Sequence, residues 1–211
     1  MKKQRAHTAH WANQLILLTG LLFCMASVHA QAPAPATLRA EVHKPLTAAQ
    51  EAMKSNQMDQ ALSFTREALA VSQLTPVERA FVMRTQAAAA VRAKNWDLAI
   101  ESLEFLVTSP DVPQTDKRSM LESLMNACLQ KKDNTRAVKW GRQYLQDGGT
   151  NPGIRLAMIQ TLSVMGEHKQ VLQEVQEKMR LDAAAGQKTP EQELRLMAIS
   201  YRQLKDDAGY M

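Results

Sequence analysis

Lys94-Asn95-Trp96-Asp97-Leu98-Ala99 is a short polar turn that closes one stretch of helical apolar periodicity and opens the next. Four other segments do the same: Lys54-Ser-Asn-Gln-Met-Asp-Gln-Ala61, Lys132-Asp-Asn-Thr-Arg-Ala137, Gly166-Glu-His-Lys-Gln-Val171 and Lys205-Asp-Asp-Ala-Gly-Tyr210. The small or apolar residue after each turn falls at 61, 99, 137, 171 and 210, giving spacings of 38, 38, 34 and 39. A period in this range marks a stack of helix pairs, because one pair cannot bury its own apolar face and must lay it against a neighbour.

Signals half a period away mark the first helix of each pair. Thr75-Pro76-Val77-Glu78 and Thr189-Pro190-Glu191-Gln192 read as capping boxes with proline at the first helical position, and Asn151-Pro152 and Thr115 as simpler caps. The expected helices span 40–54, 58–71, 76–93, 96–108, 115–131, 135–147, 152–165, 168–185 and 190–204. Four pairs and an incomplete fifth result, and the expected class is an all-α solenoid of antiparallel helix pairs over 38–211. With no polar capping helix after 204, the sequence reads as lacking part of its C-terminal stack.

Composition agrees with that class. The 211 residues are 45% hydrophobic and 22% charged, with only eight Gly, eight Pro and 5% aromatics, which favours helix over strand. The first 30 residues read as a secretory signal: Lys2, Lys3 and Arg5, a run from Leu15 to Ala26, then Val28-His29-Ala30 before a cut at Gln31. That run falls short of the roughly 20 residues a membrane-spanning helix needs. Phe23 before Cys24 argues against a lipidation site, which takes a small residue there. Residues 31–37, Gln-Ala-Pro-Ala-Pro-Ala-Thr, read as an extended tether. Removing the signal leaves 23 Lys+Arg against 21 Asp+Glu, and without a basic cluster this gives no case for nucleic acid. The expected compartment is the periplasm. Stability there must come from packing, because Cys128 alone survives cleavage and no internal disulfide can form.

The residues do not assemble a catalytic set. His43 and His168 are three repeats apart, and no His pair at metal-binding spacing, nucleophile elbow, phosphate loop or Cys-x-x-Cys is present. Cys128 follows Leu121, Leu124 and Met125 on a buried stripe and reads as a core thiol. Gly148-Gly149 reads as a left-handed helix cap, Glu191 and Glu193 as dipole-complementing charges, and Trp96 and Trp140 as packing residues. A non-catalytic protein without cofactor or metal is expected.

Ala49 and Ala87, twelve positions before Ala61 and Ala99, resemble the small-residue positions of the tetratricopeptide repeat. The family's Trp, Leu-Gly and Tyr positions are here Met83, Gln86-Ala87 and Ala90 in the second unit, and Leu121, Leu124-Met125 and Cys128 in the third. The resemblance implies a right-handed superhelix whose first helices line a groove. Gln50, Arg84, Arg92, Glu122, Asn126, Gln130, Gln160, Arg195 and Arg202 are the residues that register would place there, suited to a peptide backbone or a carboxylate. Leu38-Arg-Ala-Glu-Val-His-Lys-Pro-Leu46, Arg142-Gln-Tyr-Leu-Gln-Asp-Gly-Gly149 and the closing segment resemble exported proteobacterial tetratricopeptide proteins described as components of a TonB transport system. That resemblance implies an envelope adaptor binding a protein or peptide partner. A structural module of a larger envelope assembly, using the convex face or the open C-terminal end, is the alternative.

Overall fold

A computed structural model describes residues 38–205. The expected signal, the tether and Tyr210 lie outside the described residues. Within them the chain forms α1 (Ala40–Lys54), α2 (Met58–Leu69), α3 (Pro76–Arg92), α4 (Trp96–Thr108), α5 (Gln114–Gln130), α6 (Asn134–Gln146), α7 (Pro152–Val164), α8 (His168–Ala184) and α9 (Glu191–Leu204). Each helix packs on the next, and α1 and α7 also reach α3 and α9, so successive hairpins stack side by side.

The recurring turn has one mechanism. Asn56, Lys94, Lys132, Gly166 and Lys205 each take the left-handed conformation, with φ of 58°, 56°, 62°, 76° and 57°. In the four complete turns the following amide reaches back to close the helix: Gln57 to the Ala52 carbonyl at 2.8 Å, and Asn95 to Ala90, Asp133 to Cys128 and Glu167 to Leu162, each at 2.9 Å. This closure satisfies carbonyls that the helix end would otherwise leave bare. The next helix starts almost at once, with the Asn95 and Asp133 side chains accepting from the Leu98 and Arg136 amides.

Between pairs the caps divide. The Thr75 hydroxyl accepts from the Glu78 amide at 3.1 Å and the Glu78 carboxylate accepts from the Thr75 amide at 2.9 Å, a complete capping box. Asn151 caps α7 through the Gly153 amide at 3.0 Å. Two expected caps do not form. α5 opens one residue early, with Pro113 as its cap, which leaves Thr115 inside the first turn. α9 opens one residue late, with Pro190 as its cap. With Pro190 rather than Thr189 at the cap position, no side-chain bond caps α9 and the box expected from Thr189 and Gln192 does not form. Glu191 and Glu193 stand in the first turn of α9, as expected, and Glu193 is only 4% exposed.

Glu78 does more than cap. Its carboxylate takes the Arg39 guanidinium at 2.8 and 2.9 Å and the Arg39 amide at 3.1 Å, while Arg39 also holds the Ser72 and Gln73 carbonyls. Arg39 thus ties the chain before α1 to the first turn of α3 by an ion pair and to the loop before it by two carbonyls. The Arg39 hydrogen bond, then the Thr75 amide, holds the Glu78 carboxyl at about 2, below its ordinary 4.5. A carboxyl depressed on folding stabilises above its unfolded value and loses that contribution as pH falls toward its folded one. The midpoint of thermal unfolding is therefore expected to drop between about pH 4.5 and pH 2, with a shallower slope in Glu78→Gln than in the parent.

The core is one continuous cluster from Ala52 to Val175, with a satellite of Val42, Leu46, Ala68 and Val82 where the first two hairpins meet. Its anchors trade volume. Ala49 and Ala87 are small, while the corresponding Met125 and Ile159 are large, and all four are almost fully buried. Room for Met125 comes from α6, where Gly141 stands in the register of Leu103 in α4. A Cβ on Gly141 would lie 2.8 Å from the Met125 sulfur. Gly148 takes the expected left-handed φ of 78°, but Gly149 does not: it is glycine because the Tyr144 ring lies against it, 2.2 Å from where a Cβ would stand.

The last junction has a different chemistry. Counting twelve back from residue 210 places the fifth anchor at Ala198, so Glu193 occupies the register of apolar Val82. Asp182, paired with Lys178, is also buried. Asp182 Oδ2 and Glu193 Oε2 are buried without a hydrogen-bond donor among the described residues.

Candidate functional site

The first helices carry the exposed stripes. Along α3, Val77, Phe81, Arg84, Ala88 and Arg92 recur at helical spacing and are all exposed. Thr115, Ser119, Glu122, Asn126 and Gln130 hold the same register one repeat on, along α5. Of the nine residues singled out from sequence, Gln50 lies on α1, Arg84 and Arg92 on α3, Glu122, Asn126 and Gln130 on α5, Gln160 on α7, and Arg195 and Arg202 on α9. All are exposed except Glu122, which is half-buried.

Three of them already have partners. Arg84 donates to Asp116 of α5 at 3.0 Å, Glu122 accepts from Asn151 at 3.4 Å, and Arg195 pairs with Glu191 of its own helix at 2.7 Å. The first two bonds cross from one hairpin to the next.

Where α3 faces the start of α5, the stripe opens into a notch of about 270 Å³. Val77, Ala80, Phe81, Val112 and Pro113 line it together with the charged Arg84, Asp111 and Asp116. Val112 is buried, but Phe81 is 45% and Val77 37% exposed. An exposed phenyl ring beside an exposed valine, over a buried valine, leaves apolar area facing solvent that a partner can cover. The nine-residue set misses Phe81 because it extends one turn either side of the position after the anchor. Phe81 lies a further turn toward the start of α3, and following the same spacing to the helix start reaches it.

The reactive side chains sit elsewhere. Cys128 is fully buried, and burial pushes its thiol up to about 11, away from the thiolate a nucleophile needs. His43 is exposed on α1, and His168 opens α8 with Nδ1 3.2 Å from the Ser200 hydroxyl. Trp140 packs between second helices, its indole N–H donating to Glu104 at 3.1 Å. Among the described residues no three His, Cys, Asp or Glu side chains converge as metal ligands, and no helix is long and apolar enough to cross a membrane.

No protein-family model matches the chain, and no curated protein matches it in sequence. Its architecture does recur among solved structures. A Podospora anserina protein of nearly identical TPR-like repeats, assigned as a kinesin light chain, aligns at TM-score 0.51 and 12% identity over 82% of this chain and 92% of that one. The fold is that of a tetratricopeptide-repeat solenoid. The TPR2AB domain of yeast Sti1, in its pHSP90 complex, aligns at TM-score 0.41 and 12% identity over 80% and 73% of the two chains. In this tetratricopeptide-like stack the third and fourth pairs depart from small-residue anchors, through Met125 and Ile159.

Proposed function

We propose that the chain is a non-catalytic adaptor that holds a protein or peptide partner against the exposed stripes of its first helices. The observation that carries this reading is the α3–α5 notch, where Phe81 and Val77 face solvent on a surface that the remaining helices leave open. A rigid stack with exposed first helices offers an extended partner a continuous face, with side-chain amides at Asn126, Gln130 and Gln160 for its backbone. The setting we assign is the periplasm, on the strength of the basic start, apolar run and Val28-His29-Ala30 of the signal. A link to TonB-dependent transport rests on the sequence resemblance.

A photocrosslinking residue placed at Ala88 or Asn126, on the stripes, should yield partner adducts in the periplasmic fraction, and one at Lys139 or Gln143, on a second helix, should not. The triple variant Arg84→Ala, Arg92→Ala, Asn126→Ala should weaken capture while its melting temperature stays close to the parent's. Adducts from α6 positions alone would move the contact to the opposite face and favour the structural-module alternative.

A further inference from the structure

The charges lining the α3–α5 notch decide what it takes up. This step rests on the peptide-holding reading above. Arg84, whose residue type suits a carboxylate, is engaged by Asp116 at 3.0 Å, and the two side chains are 48% and 40% exposed. Asp111, the third of these charges, makes no salt bridge among the described residues. One guanidinium against two carboxylates leaves the notch with a surplus negative charge. A terminal carboxylate entering here would have to displace Asp116 from Arg84 and then meet Asp111. A basic side chain meets Asp111 without breaking any bond.

The apolar lining of the notch selects differently from its charges. Its volume of about 270 Å³ is that of about nine waters, room for one large side chain rather than a folded element. Val77, Ala80, Phe81 and Val112 offer that side chain apolar and aromatic contact and no hydrogen-bonding side-chain group. An apolar side chain gains by leaving water against these residues.

We propose that the notch takes a leucine, methionine or aromatic side chain from a partner peptide, with a lysine or arginine beside it, and that it rejects a free C-terminal carboxylate. Phe81 supplies most of the apolar contact, and Asp111 and Asp116 set the preference for a basic neighbour.

The test is selection of a randomised heptapeptide pool, displayed with both free and blocked C-termini, on the full signal-cleaved chain. Blocked peptides with a large apolar residue next to Lys or Arg should be enriched. Resynthesised winners should bind about tenfold tighter than versions with that Lys or Arg changed to Glu. Phe81→Ala, at a position already half exposed, should abolish the enrichment without unfolding the chain. Asp116→Asn, which frees Arg84, should raise affinity for the acidic versions. Enrichment of acidic or free-carboxylate peptides that protect the α3 and α5 stripes would overturn this inference and leave the peptide-holding reading in place. Undiminished selection on Phe81→Ala would also overturn it. A pool that yields no enrichment on the parent chain would overturn both.

Discussion

Gly149→Ala is expected to lower the stability of the chain by about 3 kcal/mol, a large effect for a single methyl group added in a surface turn. The reason is the Tyr144 ring. It is 4% exposed, its hydroxyl accepts from the Asn151 amide at 2.9 Å, and its edge lies 2.2 to 2.5 Å from where the new Cβ would stand. Neither partner can yield cheaply. The turn is fixed by the Gly149 amide on the Tyr144 carbonyl at 2.9 Å, and moving the ring breaks the bond to Asn151, the residue that caps α7. Urea unfolding of the single variants and of the pair with Tyr144→Leu gives the coupling directly. With the ring gone, Gly149→Ala should have an effect of about 0.5 kcal/mol or less, because φ at this position is not left-handed. An equal loss in both backgrounds would show that the turn requires glycine for some other reason.

Gly141→Leu should destabilise by about 3 kcal/mol as well, through the interface of α5 and α6 rather than a turn. The nearest Met125 atoms are Sδ at 2.8 Å and Cε at 3.3 Å from the added Cβ, and Met158 Cβ is at 3.7 Å. Met125 is fully buried, so its end has no solvent to retreat into. Met125→Ala alone leaves a cavity and should also lose about 3 kcal/mol. Combined, the two restore the arrangement of the second hairpin, where the small Ala87 occupies the anchor and Leu103 the Gly141 register. The double variant should therefore recover about 2 kcal/mol relative to the sum of the singles. Strict additivity in thermal or urea unfolding would refute the volume trade. Gly141→Ala is a milder probe, since a gain of about 1 kcal/mol in helix propensity offsets part of the displaced sulfur.

Most helix boundaries were legible because the turn is a local event. A left-handed residue followed by an immediate cap needs particular residue types at fixed offsets, and these recur with the packing period. The hydroxyls of Thr115 and Thr189 signal caps that do not form, because α5 opens at Gln114 after Pro113 and α9 at Glu191 after Pro190. Long-range partners were less legible still. Nothing local in the sequence joins Arg39 to Glu78, and Gln86 finds Ser102 at 2.9 Å only after α3 and α4 have packed. Gln86 is 3% exposed and Ser102 fully buried, and the Gln86 amide also donates to the buried Thr65 hydroxyl at 3.5 Å, so the three side chains satisfy one another inside the core. In the candidate site, the stripe positions follow from helical spacing alone. The notch depends on how closely α5 approaches α3, which helical spacing within one helix does not report.

Placing Glu193 where an earlier hairpin has Val82 makes the rod unequal along its length. Its middle is knit by oily contacts that weaken only when whole hairpins part, whereas its last seam encloses carboxylate oxygens that gain solvation on opening. Amides of the ninth helix should accordingly exchange with deuterium sooner than those of the fifth, and loosening should spread from that seam inward, leaving the notch-bearing hairpins among the last to come apart.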